Sequence, residues 1–203
     1  MNLNLDSYDD IMSGKIKLPE WMKPMMCTIP ECGKGDWSIK KMEVEMDFSN
    51  LRMMRDGRGC LPGIYTKLVH NKRGIVMSDT NAELWDCYPF LRIAKGSVLI
   101  HGLGLGCLVK GLLSKDEITN IDVVEIDQNV IDLVSPHFND SRLHIHYGNC
   151  LDYKWERGKK WDYIWHDIWD NICEDNLDEM KKLHRKFGRR CKFQMSWGRN
   201  YLE

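Results

Sequence analysis

Apolar positions in the second half of the chain fall into two alternating rhythms. Short runs of the kind buried strands use are followed by stretches whose apolar residues recur at helical spacing. Val98-Leu99-Ile100 meets glycines at 102, 104 and 106, and a helix-compatible apolar stretch then runs to Leu113. Ile121 to Val124 is the next run and ends at Glu125. Asp127 is placed to cap a helix carrying Val130, Ile131 and Val134, stopped by Pro136. Leu143 to Tyr147 alternates as a strand does, and Trp161 to His166 reads as another strand ended by Asp167. Asp175 then caps a helix with Leu177, Met180, Leu183, His184 and Phe187, which Gly188 ends, and Cys191 to Met195 is a last short strand. This alternation requires a parallel sheet with helices on both faces. The fold class expected is α/β, a Rossmann-like, doubly wound, mostly parallel sheet.

Upstream the pattern changes. Ile64 to His70 and Ile75 to Ser78 read as two strands of a hairpin joined by Asn71-Lys72-Arg73-Gly74. Thr80 and Glu83 have capping-box spacing, so a helix is expected there, with Leu84 and Trp85 turned inward and a disruption near Pro89. Lys95-Gly96 looks like a left-handed helix end. These features set a boundary near residue 95: an N-terminal extension with hairpin and helix over 1–95, and a nucleotide-binding domain over 96–203. Residues 1–60 are harder to read. Ser7 could cap a short helix, Pro19, Pro24 and Pro30 interrupt regular structure, and Val44, Met46 and Phe48 alternate as in a half-exposed strand. The methionines there, with Trp21 and Trp37, suit either a non-regular packed layer or a flexible apolar lid over a substrate.

Composition narrows the class without naming a function. Of 203 residues, 43% are hydrophobic and 29% charged, an ordinary globular balance. A formal net charge of −1 gives no global field for nucleic acid or an anionic membrane. No apolar stretch has the length of a membrane span, and the acidic start MNLNLDSYDDIMSG lacks the pattern of a secretory signal. Eight scattered cysteines, with Cys27 and Cys32 the closest pair and no second pair, point to reduced thiols in a cytoplasmic compartment and to no metal site. His144 and His146 share a strand face but lack a third ligand. The basic run from Lys181 to Lys192 is expected to be a solvated helix face; a nucleic-acid surface is not favoured.

The candidate chemistry gathers at four strand ends, because ligands of open α/β sheets lie across the carboxyl ends of the strands. The turn Gly102–Gly106 lets a ligand approach the backbone closely. Glu125, 19 residues after Gly106, can accept both hydrogen bonds of a ribose diol. Asn149, at the end of the LHIHY strand, offers an acceptor and a donor suited to an adenine edge. Asp167 and Asp170, three apart, can face one site; like charges at close range would raise one pKa and make it a base near neutrality. The same pair would attract a cationic or amine substrate. Trp169 could stack on a flat or cationic acceptor.

With these residues in hand, a family resemblance emerges. VLIHGLGLGC, VEID, GNC and WDYIWHDIWD occur in the order and spacing of VLIIGGGDGG, VEID, GDG and FDVIIVDSSDP in spermidine synthases. Residues 96–170 thus resemble class I S-adenosylmethionine-dependent methyltransferases, and more closely their spermidine synthase-like branch. The resemblance implies a trimmed methyltransferase fold and a cofactor, S-adenosylmethionine or its decarboxylated form. It implies that Gly102, Leu103, Gly104 and Gly106 line the cofactor's methionine side, that Glu125 and Ile126 meet its ribose end, that Asn149 and Cys150 flank adenine, and that Asp167 faces the reacting centre. The family's loop acid is Leu105 here, which favours ordinary S-adenosylmethionine. The adenine-side Asp is Asn149, and Val76 and Met77 stand near the place of the family's Gln.

The leading function is methyl transfer to a small-molecule acceptor, an amine or hydroxyl, with Asp167 and Asp170 catalytic. Aminopropyl transfer to a polyamine is the alternative. A nicotinamide-dependent oxidoreductase and a non-catalytic Rossmann-like binding module remain further readings. The sheet has no room for the usual last antiparallel strands after Cys191–Met195, so it is either trimmed to five strands or completed by a partner. A homo-oligomer through that edge or through the N-terminal region is the arrangement this suggests.

Overall fold

The computed structural model describes residues 19–45 and 59–202, with 47, 50 and 53 between them. The helix expected at Ser7 and the strand positions Met46 and Phe48 lie outside the described residues. Two sheets make up the fold. The first is an antiparallel meander of β1 (Cys32–Lys34), β2 (Trp37–Val44), β3 (Gly63–His70) and β4 (Gly74–Ser78). The second holds β5 (Gly96–His101), β6 (Ile118–Glu125), β7 (Leu143–Tyr147), β8 (Trp161–His166) and β9 (Cys191–Ser196) in the order β7-β6-β5-β8-β9, every pair parallel. The helices that follow the meander and run between the parallel strands are α1 (Asn81–Ile93), α2 (Cys107–Leu113), α3 (Gln128–Val134) and α4 (Asn176–Phe187). No described helix is long and apolar enough to cross a membrane.

The alternation of side chains along the parallel strands splits the core in two. Val98, Ile100, Ile121, Val123 and Trp165 face a core shared with α1, α2, α3 and the meander residues Trp37, Ile39, Tyr65 and Leu68. Leu99, Val124 and Ile164 face Leu183 and Phe187 of α4. Strands buried on both faces read as continuous apolar runs, which is why 98–100 and 121–124 were legible as strands. The central register pairs Ile100 with Trp165 and His101 with His166. Chain order reverses between β5 and β8, so a crevice opens at their carboxyl ends.

Several local expectations are corrected. Residues 32–44 form a strand pair rather than a non-regular layer, and Met22 and Met25 are fully buried in the main core. Pro89 sits inside α1 on its exposed side and does not end the helix. Thr80 precedes α1 but makes no capping bond; its hydroxyl bonds Ser78 Oγ at 3.0 Å, and Glu83 turns toward the crevice instead. The left-handed residue Gly96 (φ 70°) opens β5 rather than capping α1. Gly188 ends α4 at φ −57°, outside the left-handed region, and Asp175 makes no cap bond. Asp127 does cap α3, its Oδ1 accepting the Asn129 N–H at 2.8 Å.

Candidate functional site

The crevice is a cavity of about 300 Å³. Its floor comes from the register of β5 and β8: one residue beyond the His101–His166 pair, Gly102 meets Asp167. The Asp167 N–H donates to the His101 carbonyl at 2.9 Å, and a Cβ on Gly102 would run into the Asp167 carbonyl. With φ at +92°, Gly102 is also in a conformation that L side chains rarely adopt, so both the angle and the contact require glycine. Behind this junction the buried imidazoles of His101 and His166 bond Nδ1 to Nδ1 at 2.7 Å. Burial holds both neutral, His166 near a pKa of about 3. His166 Nε2 also bonds the Gln194 amide oxygen at 3.1 Å, so His166 donates there and accepts the His101 proton.

The Gly-rich turn is held from two sides. Glu125 Oε2 accepts the Leu103 N–H at 2.7 Å and Oε1 the Asp127 N–H at 2.9 Å. Burial raises the Glu125 pKa, opposed by those backbone donors. Met77 of β4 reaches over Gly104, and its sulfur accepts the Leu105 N–H at 3.3 Å. Leu105 itself points away into the core, 1% exposed, so the loop sends no side chain from that position toward the cavity. Ile126 stands at the rim, 62% exposed, and Cys150 is buried in the wall. Asn149 Oδ1 accepts the Leu151 N–H at 2.9 Å and so holds a turn, which leaves Nδ2 as the amide's donor for a ligand.

Asp167 is partly buried at the cavity floor. Its pKa is raised to about 7, first by burial, with the charges of Glu83, Asp86 and Glu125 adding to the rise and a 3.3 Å bond from Trp165 Nε1 opposing it. The expected repulsion from Asp170 is not the cause. Asp170 is exposed and pairs with Arg73 of the β3–β4 turn, Nη1 to Oδ2 at 2.8 Å. Both carboxylates line the same cavity, and Asp167 is poised to exchange a proton near neutrality.

The structure therefore gathers Gly102, Leu103, Gly104, Glu125, Ile126, Asn149, Cys150, Asp167 and Asp170 around one cavity; Gly106 lies behind the turn, packed against Phe138 and facing a smaller cavity. Sequence reasoning missed Arg73, Glu83, Glu179 and Trp197, which also line it, and gave Trp37 to a packed layer or an apolar lid rather than to the site. Nothing in their local pattern marks them; they arrive through contacts across the fold. The basic run is mostly exposed, as a solvated face is, and three of its members also tie structure: Lys186 caps the carbonyls of Cys150, Leu151 and Tyr153, Arg190 those of Glu156 and Lys159, and Lys192 pairs with Asp162. His146 bonds Asp122, and no metal-ligating cluster occurs among the described residues.

A five-stranded parallel sheet of order β7-β6-β5-β8-β9, with a Gly-rich turn after the central strand and an acid ending the next, defines a Rossmann-like, doubly wound fold. Residues 89–189, just under half of the chain, match the spermine/spermidine synthase domain family. Over that stretch the chain is similar to spermidine synthase-like proteins. No curated protein sequence matches the chain. Among solved structures, an S-adenosylmethionine-dependent methyltransferase from Clostridium acetobutylicum is similar at 16% identity, over 54% of this chain and 45% of its own, with a TM-score of 0.40. A putative methyltransferase in complex with the Trm112 activator of Haloferax volcanii is similar at 13% identity, over 51% and 47%, with a TM-score of 0.39. A putative caffeoyl-CoA O-methyltransferase from Staphylococcus aureus shows 19% identity, over 54% and 51%, with a TM-score of 0.38. The chain spans about half the length of these proteins, and likeness at this level bears on neither substrate nor mechanism.

Proposed function

We propose that the protein is an S-adenosylmethionine-dependent methyltransferase acting on a small amine or hydroxyl acceptor. The observation that carries this reading is Asp167: a carboxyl at the cavity floor, locked against the Gly-rich turn, with a pKa near 7. The cavity residues fit the cofactor. A turn on which side chains would collide leaves backbone for the methionine end to lie against, along Gly102, Leu103 and Gly104, with Gly106 bracing the turn from behind. Each oxygen of Glu125 holds one backbone N–H and keeps a lone pair for a ribose hydroxyl. Ile126 offers an exposed apolar surface to an adenine ring, and Asn149 Nδ2 with the Cys150 wall flanks its edge.

When bound, the cofactor would supply an electrophilic methyl on a sulfonium, a leaving group that needs no covalent help. The protein's part is placement and proton handling. The cavity would hold the acceptor in line at near-attack distance, about 3–3.5 Å. Asp167 would accept the nucleophile's proton, and Asp170, held by Arg73, would border the entrance and help orient the acceptor. The match to the spermine/spermidine synthase domain favours a second reading, aminopropyl transfer from decarboxylated S-adenosylmethionine. The burial of Leu105 counts against it, since no acid reaches the cavity from the loop.

Thermal unfolding with S-adenosylmethionine, S-adenosylhomocysteine, decarboxylated S-adenosylmethionine and NAD tests these readings together. At 100 times Kd a ligand adds about 2.7 kcal/mol, which raises Tm by roughly 5–10 °C for a chain of this size. Shifts with the first two support methyl transfer. A shift with the decarboxylated form alone moves the assignment to aminopropyl transfer. A shift with NAD alone, or none at all, overturns both.

A further inference from the structure

Four tryptophans line the cavity, and each donates its indole N–H to a different carboxylate. Trp37 Nε1 bonds Asp127 at 2.7 Å, and Trp165 Nε1 bonds Asp167 at 3.3 Å. Trp169 Nε1 bonds Glu179 at 2.9 Å, and Trp197 Nε1 bonds Asp86 at 3.1 Å. The rings come from β2, β8, the loop after β8 and the turn after β9, so no single motif explains the pattern. Tyr201 adds its hydroxyl to Asp86 at 2.7 Å, and the left-handed Gly198 turns the chain so that Trp197 closes the wall beside α1.

The arrangement has two consequences. A hydrogen bond from an indole to an anion fixes the ring and enriches its π cloud, which strengthens attraction for a cation over the ring. It also places carboxylates at the edges of the rings, Asp127, Asp167 and Glu179 on the lining itself and Asp86 behind Trp197. Arg73, the one basic side chain among the described residues of the cavity lining, shows the chemistry at work: its guanidinium sits 4.8 Å from the centre of the Trp37 ring while bonding Asp170. An indole and a carboxylate there already hold a cation between them.

We infer that the acceptor half of the cavity is an indole-walled cage for a compact alkylated ammonium, bordered by Trp169 and Trp197, with the buried Trp165 holding Asp167 at its floor, and closed at the mouth by the Arg73–Asp170 pair. The ligand class is a small amine bearing N-alkyl groups and one positive charge, rather than an extended polycation or a neutral alcohol. A cage of rings suits a rounded cation whose charge is spread over its alkyl groups. A linear polyamine needs carboxylates without other partners along its length, and on this lining Asp127, Asp167 and Glu179 each accept an indole N–H, Glu125 accepts two backbone N–H groups and Asp170 holds Arg73, with Glu83 beside them. The inference rests on the methyltransferase reading, because it assigns only the space the cofactor leaves.

Calorimetry and tryptophan fluorescence on the full chain test it, with S-adenosylhomocysteine saturating. The probes are choline, its neutral carbon isostere 3,3-dimethylbutan-1-ol, and spermidine. Choline is expected to bind about tenfold or more tighter than the isostere, the difference a desolvated cation–aromatic contact supplies. Trp169→Leu and Trp197→Leu are each expected to weaken choline by about fivefold or more with S-adenosylhomocysteine affinity kept. Should either fail to fold, Trp169→Phe, which keeps a ring and loses the N–H, is expected to weaken choline by about two- to fivefold. Equal binding of choline and isostere overturns the cage, as does spermidine binding tenfold tighter than choline. Choline that fails to bind while S-adenosylhomocysteine binds overturns the cage alone. Failure of S-adenosylhomocysteine itself overturns the cofactor reading on which the cage depends.

Discussion

The two halves of the cavity are built on different principles. The β5–β6 half is made from backbone: three glycines with positive φ, the Leu103 and Asp127 amides, and one carboxylate that joins them. Apart from Asn149 and Cys150 after β7, its parts lie within 26 consecutive residues, from Gly102 to Asp127. The opposite half is made from side chains of separate elements: Trp37 and Arg73 from the meander, Glu83 from α1, Trp165 and Trp169 around the end of β8, Glu179 from α4 and Trp197 after β9. The first half can hold a ligand whose shape does not vary, since altering a backbone contact disturbs the fold. The second half can be remodelled one side chain at a time. That division suits the proposed pairing of a cofactor shared with other proteins and an acceptor particular to this one.

The sharpest way to break the comparison is at the junction, where both halves meet at Asp167. Asp167→Asn is expected to lower the transfer rate about 10²- to 10⁴-fold, the range of a lost general base, while S-adenosylhomocysteine affinity, belonging to the other half, changes little. The pH dependence follows from the same group. Activity should rise with pH through about 7 and then level, since the base must be ionised. Stability moves the opposite way. Because the folded pKa lies above the unfolded value of 3.8, Asp167 contributes most to stability below pH 4 and loses that contribution as pH rises through about 7. Asp167→Asn should therefore unfold at a higher temperature than the parent at pH 8, with little difference at pH 4, as thermal unfolding at the two pH values would show. A uniform loss of Tm at both would make Asp167 a structural residue.

On the backbone side, Gly102→Ala is expected to cost about 3 kcal/mol through strain and the clash with the Asp167 carbonyl, or roughly 6–12 °C in Tm. Unchanged Tm would mean that β5 and β8 separate easily, and the claim of a rigid junction would fall. Glu125→Gln removes one acceptor from an amide pair and should weaken S-adenosylhomocysteine binding by about 10- to 100-fold, the equivalent of one or two hydrogen bonds to a charged group. Choline binding, measured separately, should be far less affected if the halves are independent.

The same division explains what could be read from the sequence. The parallel sheet, the Gly-rich turn, Glu125 and Asp167 were legible because each rests on neighbours in sequence or on a strand buried on both faces. The 32–44 strand pair was not, because Cys32-Gly33-Lys34 is too short to show a period and Lys40-Lys41 breaks the alternation of β2 on its outer side. Pro89 was misjudged because an exposed proline late in a helix sacrifices one bond that water can replace. Asp170 was taken as the partner of Asp167 on spacing alone. Its ion partner, Arg73, lies 97 residues away and only the β3–β4 turn brings it near. The indole–carboxylate pairs were invisible for the same reason, with Trp197 and Asp86 separated by 111 positions.

The smallest expected effect is at the mouth, and it separates a stabilising contact from a selective one. The Arg73–Asp170 pair is solvent-exposed, 45% and 41% at the side chains, so water and salt screen it. Its coupling in a double-mutant cycle of Arg73→Ala and Asp170→Asn should be about 0–1 kcal/mol, seen as no more than a few degrees in Tm and lost in 1 M salt. Ligand selection is a different quantity. Removing Arg73 uncovers the Trp37 ring and leaves Asp170 as an inward-facing negative charge, so Arg73→Ala should improve spermidine binding relative to choline even where Tm hardly moves. A large drop in Tm with an unchanged preference would show the pair to be a clasp between the meander and the β8 loop. A small drop with a shifted preference would show that one residue of the antiparallel meander sets which cations the side-chain half admits, while the backbone half is left as it was.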